Sequence, residues 1–375
     1  MVNSKKIIKY FRRQLLFLIV SIILVLVFSP YGVQRWLNSE EIIKPSIHLG
    51  NSVNAPKGMS WIPGGEFLMG SDQSLADPNE KPIHPVKVSG FWMDVTHVTN
   101  NQFSQFVIAT NYVTTAEKKP DWETLRVQLP PNVKKPPEHV LVAGAMVFTG
   151  TSKKVTFENY SEWWAYAPGA NWAHPQGSTS SIKDKGDHPV VQVSYDDALA
   201  YANWIGKRLP TEAEWEFAAR GGLSQNTYSW GNKLIDAGKQ QANIWDDDIT
   251  PFPVVNYKVA ATAIGTTAVG TYPQNGYGLS DMSGNAWQWV ADSYHIDYYQ
   301  KLSEGLAGKV AINPQGPESS YDPNVPGMPA NAPRRVMRGG SYLCSKSYCL
   351  SYRTSARRGN DPFSPMSHLG FRLVK

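Results

Sequence analysis

The chain has 375 residues, of which 42% are hydrophobic and 18% are charged, and it contains 13 Trp, 30 Gly, 27 Pro and only 2 Cys. This composition excludes a disordered chain, a collagen-like chain and a disulfide-stapled scaffold. The net charge of +5 comes from five Lys and Arg side chains in residues 1–13. Without them, the 36 basic residues fall to 31, which equals the number of Asp and Glu. The remaining chain is neutral, so no nucleic-acid-binding surface is expected.

The N-terminus has a membrane-targeting pattern. The five cations precede an apolar run over residues 15–28, interrupted only by Ser21, as in the basic and hydrophobic regions of a secretory signal. No small-x-small cleavage site follows and no Cys is placed for lipid attachment, which favours a retained anchor over a cleaved signal peptide. We expect export and membrane association, with the following chain on the extracytoplasmic side, or secretion if the segment is cleaved.

Three regions are predicted along the chain. Residues 1–36 are the basic region with a transmembrane anchor or signal peptide, residues 37–57 form a linker, and residues 58–375 form a single domain. In that domain, short apolar runs are cut by Gly, Pro, Asn and Asp, which predicts short strands and long ordered loops. The expected fold class is α+β, with one irregular domain and little regular secondary structure.

Local signals predict three helices and several strands. Each helix begins at a Thr or Ser cap followed three residues later by Gln, Asp or Glu, and the caps are Thr99, Ser194 and Thr211. Gly206 and Gly221 are expected to end the second and third helices. Short strands are predicted in MSWIPGGEFLMG, VKVSGFWMD and HPVVQVS.

Cys344 and Cys349 lie in the segment RGGSYLCSKSYCLSYRTSAR. In an exported protein such a pair favours a disulfide, although a bridge closing so short a loop removes little chain entropy. Two thiolates without a His cluster do not suit a closed zinc site, whereas soft sulfur ligation indicates Cu(I). Spacing alone leaves these alternatives open. Four nearby cations either lower the thiol pKa values or form a solvated basic face: Lys346, Arg353, Arg357 and Arg358.

Other catalytic patterns are missing from the sequence. There is no G-x-S-x-G, P-loop or GxGxxG motif in a supporting context, which excludes a serine hydrolase and a nucleotide-binding protein. The eight His are scattered along the chain. The stretch NGYGLSDMSGNAWQW is rich in oxygen ligands and is interpreted either as a Ca²⁺-binding loop or as an ordinary Gly-rich turn.

From Met59 to Arg372, the sequence resembles the formylglycine-generating enzymes, also called sulfatase-modifying factors, which have a C-type-lectin-like variant fold. The resemblance is carried by IPGGEFLMGSD, DHPVVQVSYDDALAYANWIGKRLPTEAEWEFAARGG, NGYGLSDMSGNAWQW, RGGSYLCSKSYC and LGFR. It implies an oxidase in which Cys344 and Cys349 are catalytic and bind Cu(I). With O₂, such an enzyme converts the cysteine of a Cys-x-Pro-x-Arg segment in an unfolded sulfatase to Cα-formylglycine.

The resemblance also implies roles for three residues around the cysteines. Ser341 corresponds to a serine of the active-site floor, and Trp287 corresponds to an aromatic residue near the substrate proline. Their alternative interpretations are a turn serine and a core tryptophan. His368 is expected to contact substrate, although it stands where family members carry Asn.

Structural Ca²⁺ is a further implication, at one or two sites. The first site matches Asp281, Gly284, Ala286 and Gln288, with Gln288 in place of a Glu, and losing that charge weakens Ca²⁺ binding. The second site matches Asn243 and Ile244 but lacks the later Asp-x-aromatic pair. The candidate substitutes are Asp246, Asp247 and Asp248.

The leading hypothesis is therefore a copper- and O₂-dependent oxidase that installs formylglycine in sulfatases. One alternative is a non-catalytic lectin-like binding or scaffold module in which Cys344 and Cys349 form a disulfide. Another alternative is an oxidase that matures a different secreted peptide.

Overall fold

The computed structural model describes residues 48–49, 55–130, 132–236, 239–255, 264–319, 321, 329 and 331–375. The predicted N-terminal region, residues 1–36, lies outside this part of the chain. Among the residues described, no helix has the length and apolar character needed to cross a membrane. Within the segment expected to be a linker, His48–Leu49 forms a short strand that pairs with Met59–Ile62. The chain from Pro45 to Lys375 forms one compact unit.

The described part of the chain contains five α-helices and three short 3₁₀ helices. The α-helices are α1 (Asn100–Thr110), α2 (Trp122–Arg126), α3 (Tyr195–Trp204), α4 (Glu212–Arg220) and α5 (Tyr298–Leu306). The 3₁₀ helices are Pro78–Glu80, Thr115–Glu117 and Tyr160–Glu162. Helices α1, α3 and α4 begin with capping boxes at the three predicted caps, and α4 ends at Gly221 with a φ of 57°. These helix predictions are confirmed because capping depends on residues close in sequence.

Fourteen short strands are present in the same part of the chain. They are β1 (His48–Leu49), β2 (Met59–Ile62), β3 (Gly65–Met69), β4 (His84–Val88), β5 (Phe91–Asp94), β6 (Gly144–Phe148), β7 (Trp164–Pro168), β8 (Ile235–Asp236), β9 (Lys239–Gln240), β10 (Trp287–Ser293), β11 (Ala311–Ile312), β12 (Arg335–Arg338), β13 (Arg357–Asn360) and β14 (Leu369–Phe371). They form sheets in the orders β1-β2-β5, β13-β12-β10-β14 and β11-β4-β3, with two further pairs, β6-β7 and β8-β9.

The run HPVVQVS is not a strand, contrary to the prediction. Val190 and Val193 are buried as expected, but Gln192 has a φ of 60°, which interrupts an extended conformation. The backbone N–H of Gln192 donates to the carbonyl of Met366, which belongs to no named strand. The run is therefore buried on both sides, from Pro189 to Tyr195, without a ladder of strand hydrogen bonds.

A buried ion network joins α4 to the four-stranded sheet. Glu212 accepts hydrogen bonds from Arg338 of β12 and Arg357 of β13, each at 2.7 Å, and Glu216 accepts from Arg338 at 2.6 Å. Burial raises the pKa of Glu212, but Arg357 and Arg338 outweigh it and hold that pKa below its usual value. Both glutamates therefore remain ionised and fix α4 against β12 and β13.

Candidate active site

The segment with the two cysteines leaves β12 through a turn that only glycine accommodates. Gly339 and Gly340 have φ values of 90° and 68°, in the region that side chains disfavour. A Cβ on Gly340 would lie 2.9 Å from backbone atoms of Ser351 and Tyr352. The missing side chain therefore allows the beginning of the segment to pack directly against its end.

Cys344 and Cys349 form a disulfide in this structure, with their Cα atoms 5.0 Å apart. Cys344 is 1% exposed, whereas Cys349 is only partly buried. The intervening loop turns tightly because the Ser345 hydroxyl accepts hydrogen bonds from the N–H groups of Ser347 and Tyr348. The sequence thus brings both sulfur atoms together at the edge of the core.

The same cysteine pair offers a donor set that fits Cu(I) when reduced. Two thiolates held close together by one short loop suit a soft ion that accepts low coordination. No cluster of three or more His, Cys, Asp or Glu able to hold a metal occurs in the described ranges. A copper ion here would therefore rely on Cys344 and Cys349 for its protein ligands.

Cys349 and Leu350 adopt left-handed backbone conformations, with φ values of 73° and 47°. Non-glycine residues in this region cost about 1–2 kcal/mol each. The Cys349 carbonyl accepts hydrogen bonds from the Ser351 hydroxyl at 2.9 Å and from Arg358 at 3.3 Å. These contacts hold the second cysteine in a conformation that the free chain disfavours.

Ser341 and His368 form a hydrogen-bonded pair beside the cysteine loop. The Oγ of Ser341 lies 3.1 Å from Nδ1 of His368 and also accepts from the Leu343 N–H. The Ser341 carbonyl accepts from the Cys344 N–H. Burial lowers the pKa of His368 to about 3, so the imidazole is neutral, and its Nε2 is buried without a hydrogen-bond partner. The structure thus brings together Ser341, His368 and both cysteines.

Trp287 packs in the core behind these residues. It is 2% exposed and belongs to the same buried cluster as Cys344, and its backbone N–H donates to the carbonyl of His368. The more accessible aromatic group at the loop is Tyr348, whose ring stacks on Phe252 with a centroid separation of 4.3 Å and an interplanar angle of 6°. Sequence reasoning missed Tyr348 although it lies within the cysteine motif.

Each of the four cations near the cysteines has a carboxylate partner. Arg353 binds Glu80 through two hydrogen bonds of 2.6 and 2.7 Å, and Arg357 binds Glu212. The other pairs are Lys346 with Asp248 at 2.5 Å and Arg358 with Asp77 at 2.8 Å. These carboxylates balance the four positive charges locally, which weakens the field that the cations exert at the two sulfur atoms.

The residues expected for the first calcium site do not fit the ion in this structure. The side-chain oxygen of Gln288 accepts hydrogen bonds from Trp215 at 2.8 Å and Arg372 at 2.7 Å. Arg372 also donates to the Asp281 carbonyl, and the Ala286 carbonyl lies 2.8 Å from Nε2 of His97. A buried guanidinium thus occupies the polar pocket that Ca²⁺ would need, and a second cation would be repelled.

The second expected calcium site is also engaged in protein hydrogen bonds. The Asn243 side-chain amide donates to the carbonyl of Gly265 at 2.9 Å and to Oδ1 of Asn285 at 3.2 Å, and the Ile244 carbonyl accepts from Gln240. Asp247 and Asp248, proposed as substitute ligands, instead contact the cysteine loop through Ser347 and Lys346. Calcium at Asn243 and Ile244 stays a prediction.

A cavity of about 400 Å³ adjoins the Ser341–His368 pair along the chain. Tyr342 and Ser367 line it, and each is the sequence neighbour of one member of that pair. The Tyr342 hydroxyl donates to the Ser367 carbonyl at 3.3 Å, and burial raises the pKa of Tyr342 to about 12. The remaining wall is mixed, with apolar residues such as Val191 and Ile264 and polar residues such as Gln176 and Lys185.

Comparisons with known proteins cover nearly the whole described chain. The profile of the sulfatase-modifying factor enzyme 1-like domain matches residues 49–375. A formylglycine-generating enzyme of Thermomonospora curvata is 42% identical over 320 residues, covering 85% of this chain and 93% of the relative. The Bos taurus protein with that name is 39% identical over 337 residues, covering 90% of this chain and 79% of the relative.

More distant matches add a contrast and a fold. A Mus musculus protein named inactive C-alpha-formylglycine-generating enzyme 2 is 33% identical over 333 residues, covering 88% of this chain and 89% of the relative. The solved structure of PvdO from Pseudomonas aeruginosa has a TM-score of 0.53 at 22% identity, covering 88% of this chain and 99% of that chain. The predicted fold class, an irregular α+β domain, is confirmed.

Proposed function

Because the chain belongs to the formylglycine-generating enzyme family, we propose that it converts a cysteine of sulfatase polypeptides to Cα-formylglycine. The observation that carries this proposal is the cysteine pair with Ser341 and His368 beside it, in a chain 42% identical to a relative with that name. The reaction breaks the C–S bond and one C–H bond at Cβ of the substrate cysteine, forms a C=O bond and releases the sulfur as H₂S. O₂ is the proposed oxidant, and it accepts two electrons from the substrate and two from a thiol reductant, which becomes a disulfide, with release of water.

Copper is part of the proposal, held by the sulfur atoms of Cys344 and Cys349. When bound, Cu(I) would supply a soft site for the substrate thiolate and the means to react with O₂. The chain contributes the fixed spacing of the two sulfurs. Burial of Cys344 and the partial burial of Cys349 limit the access of water to these atoms.

Ser341 and His368 are proposed to orient groups at the floor of the site. We assign the Ser341 hydroxyl as the donor to Nδ1 of the neutral His368, while its oxygen accepts from the Leu343 N–H. Nε2 of His368 then carries the ring proton and is a buried donor without an acceptor. Such a donor is costly to leave unpaired, and we propose that it binds an oxygen atom of the substrate backbone.

The proposed substrate is an unfolded sulfatase segment of the form Cys-x-Pro-x-Arg. Trp287, expected to contact the substrate proline, is 2% exposed, so we assign it to the support behind the site. Tyr348 is only partly buried and offers an aromatic ring at the cysteine loop, where it stacks on the buried Phe252. We further propose that the enzyme is exported and anchored or targeted by residues 1–36, on the support of their basic and apolar pattern.

The decisive experiment incubates a Cys-x-Pro-x-Arg peptide with reduced, Cu(I)-loaded protein, O₂ and a thiol reductant, followed by mass spectrometry. We expect an aldehyde product from this peptide and none from the peptide with Ala in place of Cys. The matched protein control is Cys349→Ser, which removes one sulfur at a partly buried position. No aldehyde from fully copper-loaded protein would overturn the proposal.

The Cys344–Cys349 disulfide favours a second candidate, a non-catalytic binding module of the same fold. In that case, the bridge would resist mild reduction and the protein would not bind Cu(I). Thiol titration after mild reduction separates the two functions, since the oxidase requires both thiols to become available. A third possibility, an oxidase acting on another secreted peptide, predicts turnover with that peptide and none with the sulfatase sequence.

A further inference from the structure

A second segment of the chain, residues 245–252, packs against the loop between the two cysteines. Asp247 is the centre of this contact, because its carboxylate bridges two backbone groups. Its Oδ2 accepts the N–H of Ser347 at 2.9 Å, and its Oδ1 accepts the N–H of Phe252 at 3.0 Å. We call residues 245–252 the clamp segment and residues 344–349 the cysteine loop.

Three further contacts join the same two pieces of chain. The N–H of Trp245 donates to the carbonyl of Cys344 at 3.0 Å. Phe252 stacks against Tyr348, and Asp248 pairs with Lys346. The clamp segment therefore contacts the cysteine loop at its first residue, at its apex and next to its last residue.

These contacts differ in strength. The Lys346–Asp248 pair is exposed, with side-chain exposures of 50% and 79%, and exposed pairs contribute little. Asp247 is half-buried and accepts two backbone hydrogen bonds, which are stronger when the acceptor is charged. The Ser347 N–H also reaches the Ser345 hydroxyl at 3.2 Å, a longer contact within the loop itself. Asp247 is the main polar link between the two segments.

We propose that Asp247 is a positioning residue that presets the separation of the Cys344 and Cys349 sulfurs for reduction and for Cu(I). It touches neither sulfur and acts through the backbone of Ser347. A loop held in one conformation loses little entropy when its ends are joined, either by a disulfide or by a shared ion. This inference rests on the proposed function only for the identity of the metal, because the redox equilibrium of the pair is measured without turnover.

The test compares Asp247→Asn with the matched control Asp246→Asn. Asp246 is exposed, and its carboxylate accepts a hydrogen bond from the backbone N–H of Asp248, which is also in the clamp segment. Both variants remove one negative charge near the loop. Only Asp247→Asn replaces a side-chain oxygen that accepts a backbone N–H by an NH₂ group, which cannot accept it. The redox measurement uses glutathione buffers, in which the disulfide and two glutathione thiols exchange with two protein thiols and glutathione disulfide.

For Asp247→Asn, we expect the equilibrium to shift towards the dithiol by about fivefold or more, since the loop no longer favours closure. Cu(I) affinity, measured by competition with a chromophoric chelator, should fall by about fivefold or more. Loss of the negative charge alone would strengthen Cu(I) binding, because a nearby carboxylate repels the thiolates and so raises their pKa values. A weaker affinity therefore indicates lost positioning, and a stronger affinity indicates a charge effect. Asp246→Asn should change both quantities by less than twofold.

Asp247→Glu keeps both acceptor oxygens and should recover part of the loss, which a purely structural defect would not predict. Tyr348→Leu tests the stacking contact independently if Asp247→Asn does not fold, and it should shift the glutathione equilibrium in the same direction. Unchanged redox and Cu(I) constants, or equal effects in Asp246→Asn, would overturn the inference. A protein that shows these shifts but forms no aldehyde would contradict only the proposed function.

Discussion

The hydroxyl of Ser341 and Nδ1 of His368 lie 3.1 Å apart in a buried pair, and the imidazole of His368 is the member of this pair whose charge changes with pH. Burial lowers the pKa of His368 from 6.5 to about 3. The unfolded chain therefore binds a proton at this histidine below about pH 6.5, whereas the folded protein does not bind it until about pH 3. Stability attributable to this neutral state is complete above pH 6.5 and is lost as the pH falls towards 3.

His368→Asn removes this titration and should make the free energy of unfolding less dependent on pH. Between about pH 4 and 6, the slope should fall by up to about 1.4 kcal/mol per pH unit, which corresponds to one proton. Denaturant unfolding at several pH values measures it. His139→Asn, at an exposed position, serves as the control. Equal slopes in wild type and His368→Asn would show that the histidine titrates normally.

Cys349→Ser should abolish aldehyde formation by the reduced protein in the presence of Cu(I), because it removes one of the two proposed sulfur ligands. In the presence of a thiol reductant, its free energy of unfolding should stay within about 1 kcal/mol of wild type. The oxidised wild type should gain on the order of 2 kcal/mol, the amount expected for closing so short a loop. Parallel activity and denaturation measurements provide the comparison. A loss of several kcal/mol in the reduced variant would instead assign the pair a structural role.

Calcium removal should leave the protein unchanged at the site of Asp281 and Gln288, because Arg372 already fills its polar surroundings. We expect the melting temperature in excess EDTA to match that in added Ca²⁺ within about 1 °C, since an ion that does not bind the native state does not stabilise it. Differential scanning fluorimetry measures both conditions. A clear rise with Ca²⁺ that disappears in Asn243→Ala would locate binding at the second expected site.

Arg353→Met should destabilise the protein strongly. Its guanidinium and the Glu80 carboxylate are both buried and form two hydrogen bonds, so the variant leaves Glu80 charged and unpaired. A loss of about 3–5 kcal/mol is expected for breaking such a pair. Lys346→Met breaks an exposed, solvent-screened pair and should cost far less. Urea denaturation of both variants checks the contrast, and equal losses would contradict it.

Local signals predicted three of the five α-helices in the described chain, α1, α3 and α4, and missed α2 and α5. Contacts between distant segments were not predictable. The caps at Thr99, Ser194 and Thr211 each involve a partner three residues later, so a short stretch of sequence contains the whole capping signal. The partner of Arg353 is Glu80, which is 273 positions away. Without the fold, Arg353 was therefore interpreted as a possible activator of the thiols or as part of a solvated face.

The site shows the same limit. The cysteine motif located Ser341, Cys344 and Cys349 because they lie within nine residues of one another. Asp247 was considered only as a substitute calcium ligand, yet it contacts Ser347, 100 positions away. Gln288 was recognised as a change from Glu, but its contact with Arg372 spans 84 positions and required the structure.

Both ends of the cysteine segment are tied to one carboxyl group. The segment spans residues 339–356, and Arg338 and Arg357 flank it. Each of these arginines donates to Oε1 of Glu212. The chain between these two arginines, residues 339–356, thus leaves the sheet and returns to it at the same glutamate side chain. Changes in the exposed part of this stretch, around Lys346 and Ser347, should leave the sheet in place, because Glu212 and buried residues such as Arg353 hold the rest of it. Grafts from relatives at these exposed positions are thus a direct route to altering which peptides the protein accepts.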